Sequence, residues 1–130
     1  MENREIKFKI FLKNKKGITF LIFTYAQIFN GEAQDFLKQV YSKYKIIGKS
    51  QYTGLKDKNG KEIYEGDWIL DNVGRKWVIK YEPKKAAFLF YYRGLSHPQP
   101  FSRFIKCQKP LEIIGNIYEN PELIKQPNEA

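Results

Sequence analysis

One cysteine, Cys107, and one histidine, His97, are all the chain holds of the two residue types that supply most transition-metal ligands and many nucleophile–base pairs. A lone cysteine excludes an intrachain disulfide and a multi-cysteine metal centre, and a lone histidine removes most of the remaining catalytic vocabulary. Glycine and proline are also sparse, at 9 and 6 of 130 residues, which excludes a collagenous or low-complexity chain. Long apolar runs are missing. The longest, residues 18–28, is broken by Thr24 and Gln27 and falls short of the roughly 20 residues that span a bilayer. The amino terminus, Met-Glu-Asn-Arg-Glu, mixes charge signs and resembles neither a secretion signal nor a transit peptide. A soluble, cytoplasmic protein without membrane attachment is the expectation.

What the chain does hold is apolar and basic. Hydrophobic residues make up 42% and aromatics 16%, enough for one packed core at a length that suits a single domain. Lysine and arginine number 23 against 14 acidic residues, a net charge of +9 that points to polyanionic partners.

Periodicity divides the chain. Ile6, Phe8, Ile10 and Leu12 alternate with lysines, the pattern of a half-buried strand, and the β-branched, aromatic run over residues 18–25 predicts its hairpin partner. From Ala33 the period changes, with Phe36, Leu37, Val40, Tyr41 and Tyr44 continuing one helical stripe. Asn30 or Gly31 suits its N-cap, Glu32 and Asp35 its first turn, Lys43 and Lys45 its end, and Gly48 its stop. Beyond Ser50 the text is turn-rich: Asn59-Gly60 predicts a tight hairpin with both residues at positive φ, and Glu65-Gly66-Asp67 and Asp71-Asn72-Val73-Gly74 punctuate a meander. Further strands are expected at 76–81, 86–92, 101–106 and 111–118, with a loop at 95–100. The sum is a mainly β, α+β fold: a small antiparallel barrel-like sheet, SH3-like or related, with an N-terminal hairpin and one inserted helix. It is expected to form one domain over residues 1–120, hairpin and helix in 1–48 and meander in 50–118, followed by a partly flexible tail, 121–130, that opens as a short helical turn.

The segment Gln51-Tyr52-Thr53-Gly54-Leu55-Lys56-Asp57-Lys58-Asn59-Gly60-Lys61-Glu62-Ile63-Tyr64-Glu65-Gly66-Asp67, with Ile113-Ile114-Gly115-Asn116-Ile117-Tyr118-Glu119-Asn120-Pro121-Glu122-Leu123 further on, resembles the signature pair of the YopX-like family of phage and prophage proteins. The opening Arg4-Glu5-Ile6-Lys7-Phe8 is similar to that family's start. The resemblance implies a phage or prophage origin and a small accessory protein, and it brings no activity and no catalytic residues. Residues 18–48 and 86–104 depart from the family pattern and are where an activity peculiar to this member is expected. Physically, the signature reads as turn chemistry, with Gly115 permitting a bend or close backbone approach in the last strand.

Candidate chemistry is thin. Glu62, Glu65 and Asp67 crowd one turn and suit an acid/base pair or a hard-cation site, but they equally suit solvated partners for Lys56, Lys58 and Lys61. His97 with Ser96, Ser102 and Cys107 matches no triad or elbow spacing, and Cys107 reads as a small apolar group in a strand. Charge is more informative. Net charge is +4 over residues 1–16, +5 over 43–61, +5 over 75–93 and +3 over 103–109, against −4 over 62–71 and −3 over 112–129. In 75–93, Trp77, Tyr81, Phe88, Phe90, Tyr91 and Tyr92 interleave with Arg75, Lys76, Lys80, Lys84, Lys85 and Arg93, a mixture suited to neutralising phosphates and stacking on unpaired bases. The bland account makes the aromatics core and the lysines rim. The expectation is a non-enzymatic phage accessory protein, without cofactor or metal, that binds nucleic acid or a nucleoprotein complex through Arg75, Lys76, Lys80, Lys84, Lys85, Tyr92 and Arg93. The alternative is an oligomeric protein-interaction module that modulates a host protein. A hydrolase using Glu62, Glu65 and Asp67 is the third reading, and a homo-oligomer is expected from open sheet edges.

Overall fold

The computed structural model describes residues 5–40, 42–92, 98–100 and 110–124. Two antiparallel sheets carry the fold. The first has the order β2-β1-β3-β4, from β1 (Lys7–Asn14), β2 (Gly17–Thr24), β3 (Lys45–Lys56) and β4 (Glu62–Tyr64). The second has the order β8-β7-β6-β5-β9, from β5 (Asp67–Leu70), β6 (Lys76–Glu82), β7 (Ala87–Tyr92), β8 (Gln99–Pro100) and β9 (Glu112–Asn116). The mainly β, α+β class and the β5–β7 meander stand as expected. Among the described residues the strands form no closed barrel.

The alternating residues of β1 separate two environments. Ile10 and Leu12 join Leu21 and Phe23 of β2 under the helical layer, where Ala33, Leu37, Val40 and Tyr44 cover them. Phe11 points the other way, where Phe20 and Tyr118 meet its ring with centroids 5.8 and 4.5 Å away. A second core gathers Ile69, Trp77, Ile79 and Phe90 of the second sheet around Ile63 of β4. Ile69 and Ile79 are fully buried, and each such side chain contributes about 1.5–3 kcal/mol.

Two helices, not one, are inserted: α1 (Tyr25–Phe29) and α2 (Glu32–Val40). The strand expected to run through residue 25 ends at Thr24 because Thr24 starts α1 in a capping box. Its hydroxyl accepts from Gln27 N–H at 3.3 Å, and Gln27 Oε1 accepts from Thr24 N–H at 2.9 Å. α2 begins beside Asn30, whose side chain accepts from Glu32 N–H at 2.9 Å, and carries Glu32 and Asp35 in its first turn. It is described as far as Val40 and has given way to a turn by residue 42, well before Gly48, which lies inside β3.

The hairpin at Asn59-Gly60 is also built differently. Gly60 has φ +81°, but Ala86 is the sole non-glycine at positive φ among the described residues, so Asn59 is not in that region. Asp57 N–H donates to Lys61 O at 2.8 Å and Gly60 N–H to Asp57 O at 3.0 Å, a three-residue loop closed by a glycine bulge. Asp71–Arg75 repeats it, with Gly74 at φ +87°. In both loops the leading aspartate holds the chain. Asp57 Oδ1 accepts from Asn59 and Lys61 N–H, and Asp71 Oδ1 from Val73 and Arg75 N–H.

The last strand ends in a turn at residues 117–119, then a 3-10 turn over Pro121–Ile124, as expected. A side chain at Gly115 would collide with Asn120, so the close approach expected there is present. The strand expected at 101–106 and the tail beyond 124 lie outside the described residues.

Candidate functional site

The β6–β7 hairpin sorts the mixed segment by face. Trp77, Ile79 and Tyr81 pair with Tyr92, Phe90 and Phe88, so all six share the core side. Trp77 and Phe90 are buried, and Tyr92 and Phe88 are half-buried against the same core. Tyr81 alone of this row is exposed, at 45%. Lys80 lies on the opposite side with Tyr91, its ammonium 5.3 Å from the ring centroid. Lys84 and Lys85 occupy an exposed 3-10 turn at the hairpin tip, where Glu82 caps Lys84 N–H at 3.0 Å. That hydrogen bond and one from the Tyr91 hydroxyl hold the Glu82 carboxyl below its usual range. Arg75 and Lys76 stand at the other end of β6, and Arg75 pairs with Asp71 at 3.4 Å. The expected site is therefore split: Lys84 and Lys85 lie at the exposed hairpin tip, Lys80 and the exposed Tyr81 lie on opposite faces of β6, Arg75 and Lys76 lie apart at its other end, and Tyr92 packs on the core. Arg93 lies outside the described residues, as do Ser96, His97, Ser102 and Cys107.

The three carboxylates expected to share a turn diverge. Glu62 forms an ion pair with Lys7, which raises the Lys7 pKa through that hydrogen bond. Glu65 lines a hollow with Lys49 and Lys80. Asp67 is 3% exposed, so it is no solvated partner of a lysine; Lys58 instead pairs with Glu112 at 3.3 Å. Among the described residues no three His, Cys, Asp or Glu side chains gather closely enough to hold a metal ion.

Asp67 opens a site that the linear reading missed. It lies in a cleft of about 320 Å³ where the sheets meet, with Lys9, Phe20 and Ile22 on one wall and Tyr64, Ile113 and Gly115 among the rest. One Asp67 oxygen accepts from Tyr64 N–H at 2.8 Å, and no described group donates to the other. Burial pushes its carboxyl up to about 7, against the pull of that hydrogen bond and of Lys9. The Lys9 ammonium stands 4.4 Å from the ring centroids of both Phe20 and Tyr64, and no described carboxylate pairs with it. Alternation placed Lys9 on the polar side of β1. That this side faces a second sheet is tertiary information, carried by no local pattern.

Two antiparallel sheets joined at a cleft, with two helices on one outer face, define a small β-rich α+β domain. The chain belongs to the YopX protein family, whose model matches residues 5–125. Among solved structures it is similar to the crystal structure of protein EF1440 from Enterococcus faecalis, at 27% identity over 89% of this chain and 75% of that one, with a TM-score of 0.47. No curated protein matches the chain.

Proposed function

We propose that this YopX-family chain is a non-enzymatic phage or prophage accessory protein that binds nucleic acid, alone or in a nucleoprotein complex, in the host cytoplasm. The observation that carries the reading is the excess of positive charge on the β6–β7 hairpin. Among the described cations only Lys7, Lys58 and Arg75 have an ion-pair partner, which leaves Lys80, Lys84 and Lys85 without one on a hairpin whose one carboxylate, Glu82, feels the charge of both Lys84 and Lys85. Unpaired lysines on a surface of net charge +9 attract phosphates with little carboxylate to displace. Fluorescence anisotropy with labelled single-stranded DNA at about 50 mM salt tests it, since screening is weak there. Lys84→Ala with Lys85→Ala should weaken binding severalfold, and a wild type that binds neither DNA nor RNA overturns the reading.

One observation favours a second reading, self-association as part of a protein-interaction role. β2 is a sheet edge, and residues 17–24 carry no charge to blunt it. Tyr25 N–H donates inward to Ile6 O at 2.9 Å, so by alternation the backbone groups of Ile18, Phe20 and Ile22 point outward. Gln27 already takes the N–H of Thr24. A second copy fits this row antiparallel about a two-fold axis at Phe20, placing Lys15 of one copy opposite the exposed Tyr25 of the other. Light scattering at micromolar concentration should give a dimer that Ile22→Lys converts to monomer, and a wild-type mass near 15 kDa rejects it.

A further inference from the structure

We propose that the cleft between the sheets receives one unpaired nucleobase carrying both an exocyclic amine and a carbonyl oxygen, cytosine or guanine, with Asp67 and Lys9 reading its edge. The inference rests on the nucleic-acid reading above and adds a base-specific site to it. Asp67 is more than nine-tenths buried, lines the cleft, and keeps one oxygen without a donor. That oxygen is left open to an incoming donor. Across from it, the Lys9 ammonium is held between two rings, and no described oxygen accepts a hydrogen bond from it. The two groups are too far apart to form an ion pair with each other, so what fits between them presents a donor to one and an acceptor to the other.

Nucleobases do this in one plane. In cytosine and guanine the amine and the carbonyl flank a single ring nitrogen; adenine lacks the carbonyl and thymine lacks the amine. Carboxylates accept from the cytosine amine and lysines donate to the guanine carbonyl in the pairings that side chains make with base edges. The exposed faces of Phe20 and Ile22 supply the stacking wall that unpaired bases use. Lys80 lies on the opposite face of the second sheet from Asp67 and lines a separate hollow with Glu65, so the base site is distinct from the phosphate contacts of the hairpin.

The test is anisotropy with fluorescein-labelled dC12 and dT12 at pH 8, where Asp67 is ionised with Lys9, Lys61, Glu62 and Tyr64 around it and Asp57 and Glu119 beyond. Wild type should bind dC12 about tenfold more tightly than dT12. Asp67→Asn and Lys9→Met, each checked for folding by circular dichroism, should bring that ratio to about one; should either fail to fold, the other decides. Equal wild-type affinity for the two oligonucleotides, or a preference that survives in a folded variant, overturns the base site while leaving the polyanion reading intact. Loss of all binding in the wild type overturns both.

Discussion

The ring of Tyr118 lies directly over the bare Cα of Gly48, so that a methyl group on residue 48 would overlap the ring, and the Tyr118 hydroxyl reaches Lys49 O at 3.5 Å. This contact joins the two sheets, because Tyr118 follows β9 and also packs on Phe11 of β1. Gly48→Ala is expected to destabilise the domain by about 1–3 kcal/mol through overpacking. In Gly48→Ala with Tyr118→Leu the penalty should shrink, giving a coupling energy in urea denaturation that two independent sites would not show.

Asp67 makes stability depend on pH in a direction opposite to most carboxylates. Its folded pKa is raised to about 7, first by burial, above the ordinary value of 3.8. The folded state therefore holds a proton that the unfolded state has released, and stability falls as pH rises from about 4 to about 7, then levels. Asp67→Asn retains a carbonyl acceptor for Tyr64 N–H and removes the titration. The difference in melting temperature between variant and wild type should thus grow in the variant's favour from pH 4.5 to pH 8. A constant difference would place the carboxyl in a more solvated setting than the one described.

Asp71 provides the ordinary case. Burial opposes its ionisation, but donors from Trp77, Arg75 and Val73 outweigh it and hold the carboxyl below its usual range. Its contribution is present above the unfolded pKa and disappears as pH falls through the lower folded value. Asp71→Ala also removes the Oδ2 that accepts from the indole N–H of buried Trp77 at 3.0 Å, and should cost about 1–3 kcal/mol at pH 7. Chemical denaturation at pH 7 and at pH 3 checks both statements: the penalty should be smaller at the acid pH.

Local patterns made the elements legible and left their partners hidden. The alternation of Ile10 and Leu12 and the stripe of Ala33, Leu37, Val40 and Tyr44 are visible in one dimension, and these residues do meet in one core. The capping box of Thr24 and Gln27 was equally present in the text, yet the β-branched run before it masked the helix start. Gly48 resembled a helix stop because glycine marks both chain ends and close approaches, and nothing nearby in sequence reveals Tyr118. The same limit applies to the functional surfaces. Interleaving suggested one mixed face over 75–93, but strand geometry sends Trp77 and Lys80 to opposite sides. The Asp67–Lys9 cleft draws its walls from β1, β2, β4, β5 and β9, a juxtaposition that only the tertiary fold creates.

The two aspartate-led loops make a paired prediction. Gly60 at φ +81° has open space for a side chain, so Gly60→Val is opposed by backbone strain alone, about 1–3 kcal/mol. Asn59 is not at positive φ, and Asn59→Ala should cost well under 1 kcal/mol, whereas a two-residue turn would have made the two positions comparably sensitive. Thermal melts of the two variants distinguish the loop types.

Salt separates the roles assigned to the cationic hairpin. Each phosphate contact releases condensed counterions, so log affinity for a single strand should fall with log salt by about 0.7 per contact. Lys84→Ala with Lys85→Ala removes up to two contacts and should flatten the slope by about 1–1.5 while weakening binding to every sequence. Lys58→Ala provides the internal contrast: Lys58 is already neutralised by Glu112, so its loss should leave the slope nearly unchanged. Tyr81 and Tyr92 divide differently. Tyr81 is exposed on the same hairpin, and Tyr81→Ala should cost about 1–3 kcal/mol of binding with no change in slope, the mark of a stacked base. Tyr92 packs 5.2 Å from the Trp77 ring on the core side, so Tyr92→Ala should lower the melting temperature instead. A slope unchanged in the double lysine variant, with wild-type affinity retained, would move the phosphate contacts away from the hairpin and onto the other unpaired lysines.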